Sequence, residues 1–176
     1  TDVSSSAWYY DAAKYVTDKQ LMSGEKPYVF GADEALTRAE VASALYNLAG
    51  QPKVELASFT DVPVTHQART AIAWAAKTGI MKGVGDNKFE PDRSVSREEI
   101  ATLLTRQRKL SGVDVTADKN EVSAFVDSAK ISSWAVDGVA YCTKSGLVKG
   151  NPGKVFAPAG NTTRAELATI IQRIAA

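Results

Sequence analysis

Four residue types recur three times along this chain at fixed spacing, and that repetition limits the fold more than any other feature. Gly24, Gly83 and Gly150 are each followed six residues later by Phe30, Phe89 and Phe156. Eight residues further on stand Arg38, Arg97 and Arg164, and two beyond those Glu40, Glu99 and Glu166. The copies are offset by 59 (83 − 24) and 67 (150 − 83) residues. The likeness extends upstream. Leu21-Met22, Ile80-Met81 and Leu147-Val148 precede the glycines, and Asp2-Val3, Phe59-Thr60-Asp61 and Phe125-Val126-Asp127 open the copies. Tyr15, Trp74 and Tyr141 align, as do Trp8 and Trp134, with Gln67 between them in the second copy. The units are 1–50, 59–109 and 125–176, joined after the second by a polar linker loop over 110–124. A unit of about 50 residues hardly buries its own apolar face, so the three are expected to pack on one another as one compact domain.

Each unit reads as helix, loop, helix. Trp8, Ala12, Tyr15 and Val16 make an apolar stripe of helical period, repeated as Gln67, Ala71, Trp74, Ala75 and as Trp134, Gly138, Tyr141, Cys142. The second helices carry Val41, Leu45, Leu48, then Ile100, Leu103, Leu104, then Leu167, Ile170, Ile171. The connectors are short and broken by glycine, ending in Phe-x-Pro in two copies, so the expected class is all-α with at most brief extended pieces.

Charge and composition narrow the function. Lys+Arg 21 against Asp+Glu 20 leaves +1, without the basic excess of a general nucleic-acid binder. No apolar run approaches the length of a membrane-spanning helix, so no membrane insertion is expected. The chain opens at Thr1 with no signal-peptide pattern and reads as a piece of a larger polypeptide. Cys142 and His66 are the only residues of their types, which excludes an intrachain disulfide and argues against a cysteine zinc site. No metal or cofactor is expected. Cys142 reads as a buried small hydrophobe, and His66 as a surface residue at a helix start. The recurring glutamates are explained by capping and the recurring aspartates by turns, so no carboxylate pair is left over for glycosidase chemistry and the chain is expected to be non-catalytic.

The candidate site lies at the second helices. Each opens with Ser/Thr-Arg-x-Glu: Thr37-Arg38-Ala39-Glu40, Ser96-Arg97-Glu98-Glu99 and Thr163-Arg164-Ala165-Glu166. Hydroxyl and glutamate three residues apart form a capping box, which leaves the arginine unexplained, because a cation in the first turn opposes the helix dipole. Two readings compete. The guanidinium pairs with an acidic residue of a neighbouring unit, or it joins the helix N-terminus in receiving an anion. Trp8 and Trp134 either pack in the core or stack a sugar ring. Gly24, Gly83 and Gly150 serve a positive φ, or let a ligand approach the backbone.

Taken together, the opening Phe-x-Asp (its Phe lacking in copy one), the Trp, the glycine stretch, Phe-x-Pro and the Thr-Arg-Ala-Glu motif, in three copies that each carry most of them over nearly the whole chain, resemble the S-layer homology (SLH) domain triplet. The resemblance implies a pseudo-threefold, three-pronged domain around a central helix bundle. It implies an extracellular location at the bacterial cell surface, where the module anchors an S-layer protein or exoenzyme to the cell wall. The implied partner is an acidic secondary wall polysaccharide, often pyruvylated, with peptidoglycan or a protein scaffold role as the alternatives. Its site would comprise Arg38, Arg97 and Arg164, the hydroxyls of Thr37, Ser96 and Thr163, Trp8 and Trp134, and Gly24, Gly83 and Gly150. Copy two departs from the pattern at Ser96, Glu98 and Gln67. Glu98 beside Arg97 is expected to oppose an acidic glycan and make that the poorest anion site.

Overall fold

The computed structural model describes residues 2–175. Its regular structure is helical: α1 (Tyr10–Asp18), α2 (Arg38–Leu48), α3 (Arg69–Lys77), α4 (Arg97–Leu110), α5 (Val136–Lys144) and α6 (Arg164–Ala175), with short 3₁₀ helices at Lys119–Ala124 and Ser128–Lys130. The connectors meet only in isolated antiparallel bridges, such as Lys26 with Val29 and Gly85 with Lys88, among the described residues. The chain is therefore all-α, as its periodicity implied.

By backbone contacts the chain divides into two units, and the division runs through the repeats. One comprises residues up to 94 together with those from 162 on, and the other residues 95–161. In the first, α1 packs on α6 and α2 on α3. Val16, Leu36, Leu45, Ile72, Phe89, Leu167 and Ile171 are fully enclosed there, and the rings of Tyr46 and Trp74 meet at 5.7 Å. In the second, α4 packs on α5 around Ile100, Leu104, Val139 and Phe156. Gly138 makes that crossing close, since a Cβ added there would stand 2.8 Å from Thr102 Cα. Cys142 is buried beside it and donates to Ala101 O at 3.4 Å. Burial pushes its thiol up to about 12, the mark of an unreactive core cysteine.

Each repeat is tied together by its opening aspartate. Asp2 accepts from the amides of Phe30 and Gly31, Asp61 from Phe89 and Glu90, and Asp127 from Phe156 and Ala157. The second amide of each pair belongs to a left-handed residue: Gly31 at φ 68°, Glu90 at 56° and Ala157 at 56°. Only the first copy uses the residue that adopts this conformation freely.

Three expectations change. The tryptophans do not pack: α1 begins at Tyr10 and α5 at Val136, so Trp8 and Trp134 precede their helices and are 69% and 56% exposed. The stripe signal started each of these helices two residues too early. Part of the polar loop is helical, because the Asp118 carboxylate accepts from Asn120 N at 2.9 Å and starts the 3₁₀ helix that packs on α5. Finally, Gly24, Gly83 and Gly150 are absent from the positive-φ positions. They are required because a Cβ has no room: it would meet Val29 O at 2.3 Å, Lys88 O at 2.9 Å and the Phe125 ring at 2.7 Å respectively.

Candidate functional site

The three motifs build the same helix start. The hydroxyls of Thr37, Ser96 and Thr163 accept from the amides of Glu40, Glu99 and Glu166, and those glutamates accept in return from the N-cap amides. These are complete capping boxes. The arginine following each cap is the first helical residue, and all three are deeply buried, at 6%, 7% and 4% exposure for Arg38, Arg97 and Arg164. Each side chain leaves its own helix and enters the connector of the next repeat. Arg38 Nε donates to Phe89 O at 2.8 Å and its Nη2 to Lys82 O at 2.8 Å. Arg97 repeats this with Phe156 O at 2.8 Å and Lys149 O at 3.0 Å. Their guanidinium carbons lie 4.5 and 5.4 Å from the centres of the Phe89 and Phe156 rings. A cation that opposes its own helix dipole is thus compensated by carbonyl oxygens of a neighbouring connector.

Arg164 is different. Its Nη1 donates to Ser23 O at 3.3 Å in the first repeat's connector, and its Nη2 to Glu40 Oε1 at 2.7 Å. Its Nε, by contrast, is buried with no hydrogen-bond partner. Burial pushes the Glu40 carboxyl up, but the Thr37 amide and the Arg164 guanidinium outweigh it and hold the group below the usual glutamate range. Glu40 therefore stays ionised at neutral pH.

Arg164 and Glu40 stand in a groove of about 670 Å³ within the first unit, between the connector at Met22–Glu25, helix α2 and the start of α3. Thr37, Ser43, Asn47, Gln51 and Gln67 give it hydroxyl and amide walls. His66 also lines it, and its Nδ1 accepts from Ala68 N at 3.1 Å. Gln67 occupies here the position held by the exposed Trp8 and Trp134 in the other copies. Arg164 lines this polar groove, and a guanidinium there is suited to an oxygen acceptor carried by a sugar.

The second copy assigns Glu98 a role that spacing alone did not reveal. Its carboxylate accepts from Ser132 N at 2.8 Å and Ser132 Oγ at 2.9 Å. It holds the turn leading to Trp134, two residues on, so its charge is engaged there by donors. Pairing with an acidic residue of a neighbouring repeat, one of the two readings of the motif arginine, holds for Arg164 and Glu40; the carbonyl partners of Arg38 and Arg97 were missed in the sequence, because a carbonyl leaves no trace in residue identity. No group of three or more residues suited to hold a metal occurs among the described residues. No described helix is long and apolar enough to cross a membrane.

Comparison with known proteins follows the same three-part division. The family model of the S-layer homology domain matches residues 1–42, 58–101 and 124–168. An amylopullulanase of Thermoanaerobacterium thermosulfurigenes is 33% identical over 93% of this chain and 9% of its own length. The exoglucanase XynX of Acetivibrio thermocellus is 32% identical over 93% of this chain and 15% of its own. An S-layer protein of Bacillus thuringiensis subsp. finitimus is 28% identical over 98% of this chain and 21% of its own. The chain thus spans a small fraction of the length of these relatives.

Proposed function

The chain belongs to the S-layer homology domain family, and from that premise we propose that it is a non-catalytic module that anchors a larger surface protein to the bacterial cell wall by binding a wall glycan. The module works at the cell surface. Its cargo is an S-layer protein or an exoenzyme, the two kinds of protein named among its relatives. The ligand is an acidic, pyruvylated secondary wall polysaccharide, received at the second-helix N-termini by Arg38, Arg97 and Arg164 with the hydroxyls of Thr37, Ser96 and Thr163. Trp8 and Trp134 offer exposed indole faces for stacking, and Gly24, Gly83 and Gly150 keep the connectors close. The three-pronged arrangement around a central bundle belongs to the same proposal.

The observation that carries it is Arg164, which lines a polar groove and keeps a buried Nε donor without an acceptor. An oxygen of the ligand's acidic group completes this donor. The ligand carboxylate then competes with Glu40 for the same cation. The test is co-sedimentation with wall sacculi before and after mild hydrofluoric acid, which strips secondary polymers, using wild type and Arg164→Gln matched for folded content by circular dichroism. The expected result is binding that is lost on stripping and weakened at least tenfold in the variant, as the loss of a charge-assisted contact predicts (~1.5–3 kcal/mol). Binding that survives stripping assigns the module to peptidoglycan. Binding to neither preparation refutes the anchor.

A further inference from the structure

A second cleft, separate from the motif groove, lies inside the first repeat between α1 and the connector Gly24–Phe30. It has a volume of about 280 Å³ and is walled by Tyr10, Ala13, Lys14 and Thr17 on one side and by Lys26 and Tyr28 on the other. Its opening has a reason in the sequence. Ala13 stands where the second and third copies carry Ile72 and Val139, both of which are fully buried. The short side chain leaves the room those residues fill.

The walls are also particular to this copy. The positions of Tyr10 and Tyr28 hold Arg69 and Asn87 in the second repeat, and Val136 and Lys154 in the third. Tyr28 is 87% exposed and takes a left-handed φ of 66° at the tip of the Lys26-Pro27-Tyr28-Val29 turn, which Val29 N closes onto Lys26 O at 3.0 Å. Asn87 and Lys154 are left-handed too, at φ 53° and 58°. The turn therefore requires the conformation and not the ring. Asparagine tolerates it well, whereas a bulky residue there is a genuine outlier. A strained, solvated aromatic facing a cleft is the pattern of a ligand-contacting residue.

We propose that this cleft is a carbohydrate subsite that takes one uncharged pyranose ring stacked against Tyr28. The size suits a single ring and the two phenol rings present apolar faces. The charges at the rim are already paired within the protein: Lys14 with Asp18, Lys26 with Glu25 at 3.1 Å, and the Asp2 carboxylate with the Phe30 and Gly31 amides at 2.7 and 2.8 Å. A charged sugar finds no free counter-ion, while hydroxyl groups find donors and acceptors on these same side chains. Gly24 alone lines both this cleft and the motif groove, and the subsite stands whether or not that groove binds an acidic polymer.

The experiment is an amide NMR titration of the whole chain with methyl β-glucoside, methyl β-N-acetylglucosaminide and glucuronate. Saturable shifts at Ala13, Thr17 and Tyr28 are expected with at least one uncharged glycoside, at an affinity of about 1 mM, and weaker binding with glucuronate. Tyr28→Asn, which restores the residue that serves the same turn in the second repeat, should weaken binding about tenfold. Ala13→Ile, which fills the cleft, should abolish it. No saturable shift at these residues, glucuronate binding as tightly as the glycosides, or unchanged affinity in Tyr28→Asn overturns the proposal. The asparagine variant relieves strain, so it keeps the test decisive even if isoleucine is too large for the fold.

Discussion

Replacing Arg38 by alanine should destabilise the first unit by about 3–5 kcal/mol, a loss rooted in the fold and not in ligand binding. Arg38 is almost wholly buried and gives two hydrogen bonds of 2.8 Å to the carbonyls of Phe89 and Lys82. Its guanidinium also lies 4.5 Å from the centre of the Phe89 ring. A hydrogen bond from a charged donor is worth ~1.5–3 kcal/mol, and a cation over an aromatic face adds about 1. The truncation also leaves the two carbonyls without these donors in an enclosed place. Against a typical stability of about 5–15 kcal/mol the loss is a large share. The assay is urea unfolding followed by circular dichroism, with Arg38→Lys alongside. Lysine keeps the charge and one point of contact, so it should fall between wild type and alanine. A loss below ~1 kcal/mol in Arg38→Ala would refute the structural clamp. The same reasoning bears on any wall-binding assay: reduced binding by an arginine-to-alanine variant counts only when its folded fraction matches wild type.

Three further outcomes follow from single positions. Gly138→Ala should cost about 1–3 kcal/mol by thermal unfolding, because its Cβ would stand 2.8 Å from the Thr102 backbone and force α4 and α5 apart. Ala157→Gly should raise stability by about 0.5–1 kcal/mol, since it relieves a left-handed φ of 56° that the first repeat assigns to Gly31. Burial pushes Asp127 up, but the Phe156 and Ala157 amides together outweigh it and hold the group below the ordinary aspartate range. A depressed folded-state pKa contributes stability above the unfolded value of ~3.9 and loses it as pH falls through the folded value. Asp127→Asn should therefore be less stable than wild type at neutral pH, with the gap in urea midpoint narrowing below pH ~4; a constant gap down to pH ~2 would contradict this.

Much of this molecule was legible before any coordinates. Periodicity identified six helices because apolar residues at helical spacing have one economical way to be buried. The capping boxes were legible because a cap is a local arrangement, satisfied within four residues of its own chain. Repetition set out three units, and the motifs within them resemble the S-layer homology domain, the family whose model matches the chain three times. The tertiary structure decided what local pattern cannot encode. Arg38 and Arg97 find their partners in backbone carbonyls more than forty residues away, and a carbonyl has no identity in a sequence. Trp8 and Trp134 fell on a helical stripe yet lie outside the helices, because exposure depends on what packs against a face and not on its period. Gly24, Gly83 and Gly150 are glycine for lack of space, a constraint set by the neighbouring connector strand or ring. Glu98 also serves the fold, accepting from the amide and hydroxyl of Ser132, thirty-four residues on, a contact that spacing does not reveal. The unused Nε of Arg164 came from the fold alone, since the three arginines are identical in sequence and differ only in the loop each one meets.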